Sequence, residues 1–251
     1  QTPAYNPPNL SQKKSVTLKE NAPSGLAPAG IAGDPINLAL TDPSGGGATG
    51  PIHLTITGVP SDWSINEGTN LGNGTWTVET NDLTALTVTT AAGYTGAMVL
   101  SVTETWTKAD GSTAIAVVSD NVEAYAPGSP IFALAGDDTL TGAGGNDLFV
   151  FAQPIGHDTV YSFDAAHDQM DLIGYAGFTG FADIQAHLTD DASGNALITL
   201  GDGQSIELQG VHAAALTQSN FVFDQLPTLD NSGTMTIGDG AVMPLSGTIN
   251  N

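Results

Sequence analysis

From Ser15 to Tyr125 apolar and polar residues alternate with period two, and clusters of Gly, Pro, Asn and Asp interrupt the alternation at short intervals. A two-residue period sends successive side chains to opposite faces of an extended chain, so it predicts strands with one buried face. The predicted strands are Val16–Lys19, Ile36–Leu40, Ile52–Ile56, Trp63–Ile65, Trp76–Glu79, Ala85–Thr89, Met98–Thr105 and Ala114–Val122. The interruptions, among them Asp42–Gly47, Asn73–Gly74 and Ala109–Gly111, carry residues that tolerate a left-handed backbone or preset a turn. Many short strands between frequent turns predict an all-β fold, here a β-sandwich. Trp63, Trp76 and Trp106 fall within this block as core or sheet-face aromatics.

The pattern changes on either side. Residues 1–14 (QTPAYNPPNLSQKK) are polar, Pro-rich and aperiodic, which predicts a linker, and 126–130 (APGSP) read as a joint. Residues 131–224 form a second module, with a short helix over Phe181–Leu188 and a hairpin within 190–211. Residues 225–251 return to Thr, Gly and Asn and read as a tail or the opening of a further repeat.

Charge narrows the function. Four Lys+Arg stand against 26 Asp+Glu, a net charge of −22, and the basic residues are Lys13, Lys14, Lys19 and Lys108 with no Arg. Binding to phosphate backbones rests on cationic side chains, so nucleic acid is excluded as a partner. Charged residues at 12% and apolar ones at 40% suit a folded chain rather than a disordered one. No apolar run approaches the roughly 18 residues of a membrane helix, so no membrane insertion is expected. A chain that starts at Gln1 without a basic and apolar leader is expected to be a fragment or a processed product. The absence of Cys removes disulfides, thiolate metal sites and a Cys nucleophile.

The second module is where chemistry concentrates. Between Ser129 and Asp224 there are 13 acidic residues and no Lys or Arg, so a bound cation is the natural neutraliser. Residues 133–150 (ALAGDDTLTGAGGNDLFV) repeat with period nine: Gly136 matches Gly145, Asp137 matches Asn146, Asp138 matches Asp147 and Leu140 matches Phe149. The glycines permit a turn that exposes carbonyls, and carboxylate and carbonyl oxygens suit a hard cation such as Ca²⁺.

This period resembles the nonapeptide G-G-x-G-x-D-x-U-x of RTX (repeats-in-toxin) proteins, a calcium-binding β-helix repeat. The segment Gly156–Asp164 and then Ala165–Leu172 resembles the closure that follows such repeats, and the whole of 131–224 resembles the C-terminal RTX module of serralysin-type proteases. Ala133, Leu134 and Ala143 replace glycines of the repeat, and Ser162 and His167 replace an Asp and a Gly of the closure. The resemblance implies a short parallel β-roll with a C-terminal hairpin cap, whose stacked coils set one turn's Asp against the neighbouring turn's carbonyls. The metal residues it implies are Gly136, Asp137, Asp138, Gly145, Asn146, Asp147, Asp158, Asp168 and Asp171. Asp158 would close the Asp138 turn, Asp168 and Asp171 would serve the Asp147 turn, and about one to three calcium ions would be held. Asp164, Asp190, Asp191 and Asp202 read as turn or surface acids, and Glu20, Asp34, Asp82 and Asp120 as strand-end acids outside the site.

Residues 15–125 resemble the immunoglobulin-like or cadherin-like repeats of giant bacterial adhesins. Together the two resemblances imply an extracellular or cell-surface segment of a Gram-negative RTX adhesin, exported by type I secretion, folding on calcium and supporting adhesion or biofilm formation. No H-E-x-x-H pair, G-x-S-x-G elbow or phosphate loop occurs, so a non-enzymatic role is expected. The alternatives are a calcium-dependent module that binds a glycan or peptide on a neighbouring cell, and the non-catalytic tail of a secreted hydrolase.

Overall fold

The computed structural model describes residues 25–223, together with 229–230 and 249–250. The fold is all-β, with one short helix among the described residues. The predicted strand Val16–Lys19 and most of the segment 225–251 lie outside the described residues.

The first half contains β1 (Gly25–Leu26), β2 (Pro28–Ile31), β3 (Pro35–Asn37), β4 (Ile52–Thr57), β5 (Ser64–Ile65), β6 (Thr69–Gly72), β7 (Thr75–Thr80), β8 (Thr87–Thr89), β9 (Gly96–Thr107) and β10 (Thr113–Tyr125). Alternation works as the pattern requires: Ile52, Leu54 and Ile56 of β4 are buried while His53, Thr55 and Thr57 are exposed. The β9–β10 hairpin is closed at Lys108–Ser112, where Asp110 accepts from the amide and the hydroxyl of Ser112. A three-stranded antiparallel sheet, β3-β8-β5, shares one core with β4, β7, β9 and β10. Ile36, Leu38, Ile56, Leu86, Val88, Leu100 and Val102 are its most deeply buried members. Each such side chain contributes about 1.5–3 kcal/mol by leaving water. Trp63 is buried here, and Trp76 and Trp106 pack against the same core.

Three expectations need correction. The predicted strand Ala85–Thr89 begins only at Thr87, because Leu83–Ala85 form a single 3-10 turn capped by the Asp82 carboxylate. The strand expected over Ile36–Leu40 ends at Asn37, where Ala39 takes a positive φ of 56°. Asp120 lies inside β10, fully buried, rather than at a strand end.

The second half runs β11 (Ile131–Ala133), β12 (Thr139–Thr141), β13 (Leu148–Ala152), β14 (His157–Tyr161), β15 (Gln169–Ile173), α1 (Phe181–Gln185), β16 (Leu188–Asp190), β17 (Ala196–Thr199), β18 (Ser205–Leu208) and β19 (Phe221–Phe223). Successive strands from β11 to β15 alternate between two sheets, and every pairing among them is parallel. One sheet stacks Ile131, Phe149 and Met170 in register; the other stacks Leu140 and Val160. All five side chains are buried in the core between these sheets. The antiparallel β16-β17-β18 meander caps one end, with β18 continuing β14 and β19 continuing β15 in parallel.

The two cores are joined through backbone. β2 pairs in parallel with β10 on one side and β12 on the other, so one 12-stranded sheet crosses the 126–130 joint. The buried amide of Asn37 donates to Thr141 Oγ1 at 3.0 Å across the same seam. A Cβ on Gly30 would lie 2.8 Å from Ile36 Cγ1, so the seam has room for glycine alone. This seam places Glu123 of β10 near the turns of the second half.

Candidate metal centre

The turn before β12 and the turn before β13 are built alike. Asp138 accepts a hydrogen bond from the amide of Leu134, and Asp147 accepts one from the amide of Ala143 at 2.6 Å. Asp168 repeats the device at the amide of Asp164, at 2.8 Å. In each case a carboxylate closes its own turn on the amide four residues back.

The turns are also tied to the next layer. The amide of Asp138 donates to Asp158 Oδ1 at 3.0 Å, and the amide of Asp147 donates to Asp168 Oδ1 at 2.8 Å. Backbone bonds run alongside: Thr159 donates to the Asp138 carbonyl and Gln169 to the Asp147 carbonyl. Asp158 is thereby brought to the Asp138 turn and Asp168 to the Asp147 turn. The Asp158 and Asp168 carboxylates each accept the amide N–H of the neighbouring turn.

The remaining candidates have separate places. Asp137 is exposed and accepts from the amide of His157 at 2.8 Å. Asn146, its counterpart one repeat later, is exposed. Gly136 and Gly145 hold φ of 106° and 119°, a conformation that admits glycine with little strain. Asp171 stands within β15, in register between Val150 and Val222 and on the face opposite Met170 and Leu172. Gly156 sits so close to the Gly136–Asp137 turn that a Cβ there would overlap Asp137 Oδ1 and the Gly136 backbone.

Asp158 breaks the pattern. It is 1% exposed, yet Oδ2 has no hydrogen-bond partner among the described residues. The position four residues back, which supplies the capping amide in the other three cases, is Pro154, and proline has no N–H. Burial pushes the Asp158 carboxyl up to about 7, with the charges of Asp138 and Asp137 adding to it. Asp138 is pushed up to about 6, by burial first and then by Glu123 and Asp137, against the Leu134 amide that favours its ionised form. Burial also raises Asp168. Burial raises the Tyr125 hydroxyl too, and the Glu123 charge beside it acts in the same direction.

Glu123 and Asp137 thus act on Asp138, and Asp138 and Asp137 on Asp158, while Lys108 is the one Lys or Arg among the described residues. No group of three or more His, Asp or Glu side chains converges as a ready metal cage among the described residues. A cation here would have to draw backbone carbonyls into its shell beside the carboxylates, an all-oxygen set that suits Ca²⁺. The fit is better at Asp158, with a buried oxygen to offer, than at Asp168, whose two oxygens each hold an amide. Glu123 carries no signal in the sequence, since it arrives through the parallel pairing of β2 between β10 and β12. Pro154 is likewise absent from the residues the repeat marks.

The other acids serve locally. Asp82 and Asp191 bind amides within their own turns, and Asp164 binds the Ala166 amide and His167 Nδ1, the latter at 2.7 Å. No family model matches the chain, and no curated protein matches it.

Proposed function

We propose that the chain is a calcium-binding extracellular segment of an RTX adhesin, in which an immunoglobulin-like sandwich over 15–125 precedes a short RTX β-roll over 131–224. The observation that carries the reading is the doubled tie of Asp138 to Asp158 and Asp147 to Asp168 between stacked parallel turns, with Asp158 Oδ2 buried and unpartnered. Bound calcium would supply positive charge and oxygen coordination between adjacent turns. Asp138, Asp147 and Asp168 fix their turns through the amides four residues back. Asp158 presents the free oxygen, and Asp137 and Glu123 add negative potential at the same end. Without a counter-charge these groups repel, and burial penalises their ionised forms, so folding of this half is coupled to the cation.

The coupling suits export. Extracellular calcium modules bind at about 10⁻⁴–10⁻³ M, above cytosolic free calcium, so the acidic half would stay open inside and close outside by mass action. Once closed, it would hold the sandwich at the cell surface, where a glycan or peptide on a neighbouring cell is the adhesion partner.

The test is circular dichroism with calorimetry on the EDTA-treated full chain during a Ca²⁺ titration, with Mg²⁺ as control. Growth of β signal and of a second melting transition with Ca²⁺ alone is expected. An unchanged spectrum and melt would overturn both the calcium and the adhesin readings. Glycan and peptide arrays probed with and without EDTA then test adhesion.

A further inference from the structure

In the first half a cavity of about 250 Å³ lies between β10 and the Leu40–Pro43 segment. Its walls are Leu26, Leu40, Thr41, Pro43, Ala116 and Val118, and Glu104 of β9 is its one acid. Val117 also lines it, although its side chain leaves β10 on the outer face, so the cavity reaches the backbone edge of the strand. Glu104 is 2% exposed, and Oε1 has no hydrogen-bond partner among the described residues. No ion pair reaches it from the described residues, whose single Lys or Arg, Lys108, is exposed in the β9–β10 turn.

Among the described residues the strand edge beside the cavity is only partly paired. β10 is paired to β9 throughout, but on its other side β1 covers only Ser119–Asp120 and β2 only Glu123–Tyr125. Among the described residues no strand pairs with 113–118 on that side. An open edge offers a row of amides and carbonyls that an extended peptide can complete. The outer face of the same stretch exposes Ile115 and Val117, at 65% and 52%.

We propose that this edge binds an extended peptide strand carrying a lysine, whose side chain enters the cavity and sets its ammonium on Glu104. A strand added along 113–118 sends alternate side chains inward and outward, so a lysine in the inward position meets the cavity while apolar neighbours cover Ile115 and Val117. The four-methylene stem of lysine suits apolar walls, with the charge carried at the tip. Burial, aided by the charge of Asp42, pushes Glu104 up to about 7, and an ammonium would hold it ionised. A divalent metal is a poorer occupant, because six or more oxygens are needed and the cavity offers one carboxylate and Thr41. Arginine is poorer because its broad planar fork is bulkier than a single ammonium in a cavity of about 250 Å³. The site is independent of the calcium reading.

The test uses the full chain in saturating calcium and short labelled peptides alternating valine and threonine around one central lysine, norleucine or arginine. Fluorescence anisotropy is expected to rank lysine about tenfold or more above norleucine and arginine, a ratio that the Glu104→Gln variant abolishes. Amide NMR shifts should move at 113–118. Glu104→Gln removes a buried charge and is expected to fold; its melting curve checks this. Equal affinity for lysine and norleucine, an arginine peptide that binds as well, a preference that survives in the variant, or shifts confined elsewhere would each overturn the proposal.

Discussion

Asp120 offers the sharpest test of how this chain handles buried charge. It lies in the middle of β10 with 0% exposure, and neither carboxylate oxygen has a partner among the described residues. Burial alone pushes its carboxyl from 3.8 up to about 8. The folded chain therefore holds this proton through neutral pH, whereas the unfolded chain releases it near pH 4. A group raised in the folded state contributes its full stability below the unfolded value and loses it as pH rises towards the folded one. At about 1.4 kcal/mol per pH unit, the interval from 3.8 to about 8 is worth of the order of 5 kcal/mol. Asp120→Asn keeps the shape and stays neutral at every pH. Near pH 4 the variant and the parent should agree within about 1 kcal/mol, since each then buries one neutral polar group. Between pH 5 and pH 8 the variant should gain about 4 kcal/mol over the parent. Urea unfolding at saturating calcium, followed through the first-half tryptophans, measures the difference, and contributions common to both chains cancel. A difference that stays flat with pH, or a variant less stable than the parent at pH 8, would refute the neutral buried carboxyl and point to a bound cation at Asp120.

Three further outcomes follow from the second half. Asp158→Asn should raise the calcium needed for folding more than Asp168→Asn does, because Asp158 alone holds a buried free oxygen; equal midpoints in the calcium titration would contradict this. Asp147→Ala removes the carboxylate that holds the Ala143 amide, so it should raise the calcium needed for folding; an unchanged midpoint would contradict this. Gly156→Ala forces a Cβ against Asp137 and the Gly136 backbone, and overpacking of that kind should cost about 1–3 kcal/mol in the denaturation of the second half.

Where one face of a strand is buried and the other wet, the sequence was readable. Ile52–Ile56, Met98–Thr105 and Ala114–Val122 lie within observed strands because alternation and exposure coincide along them. β2 was missed for the opposite reason: Pro28, Ala29, Gly30 and Ile31 are all buried at a seam between two other strands, so no alternation exists to be read. The helix expected over Phe181–Leu188 begins at Phe181 but ends at Gln185, because Leu188 opens β16, and the hairpin expected within 190–211 is that of β17 and β18. Spacing marked Asp138 and Asp147, nine residues apart, as equivalent. The link from Asp138 to Asp158 spans 20 residues and that from Asp147 to Asp168 spans 21. Those offsets depend on loop lengths that a nine-residue period does not fix. Glu123 had no local signal at all, since its place is set by a strand that sits more than ninety residues earlier in the chain.

One physical problem recurs in both halves, which share a sheet through β2. Glu104, Asp120, Asp138, Asp158 and Asp168 are all buried, while the described residues contain one exposed Lys and no Arg. Among the described residues ion pairs with Lys or Arg are therefore no general remedy, and each carboxyl takes its compensation from other groups. Backbone amides serve Asp138 and Asp168, as their short hydrogen bonds record. Asp120 has no amide within reach and keeps a proton. Asp158 and Glu104 retain an unpartnered buried oxygen each, Asp158 under the charges of Asp138 and Asp137 and Glu104 at an apolar cavity beside β10. On the two proposals above, a hard divalent cation would answer the first oxygen and an organic ammonium the second. If both hold, removing calcium disturbs the second half and leaves lysine recognition at β10 in place.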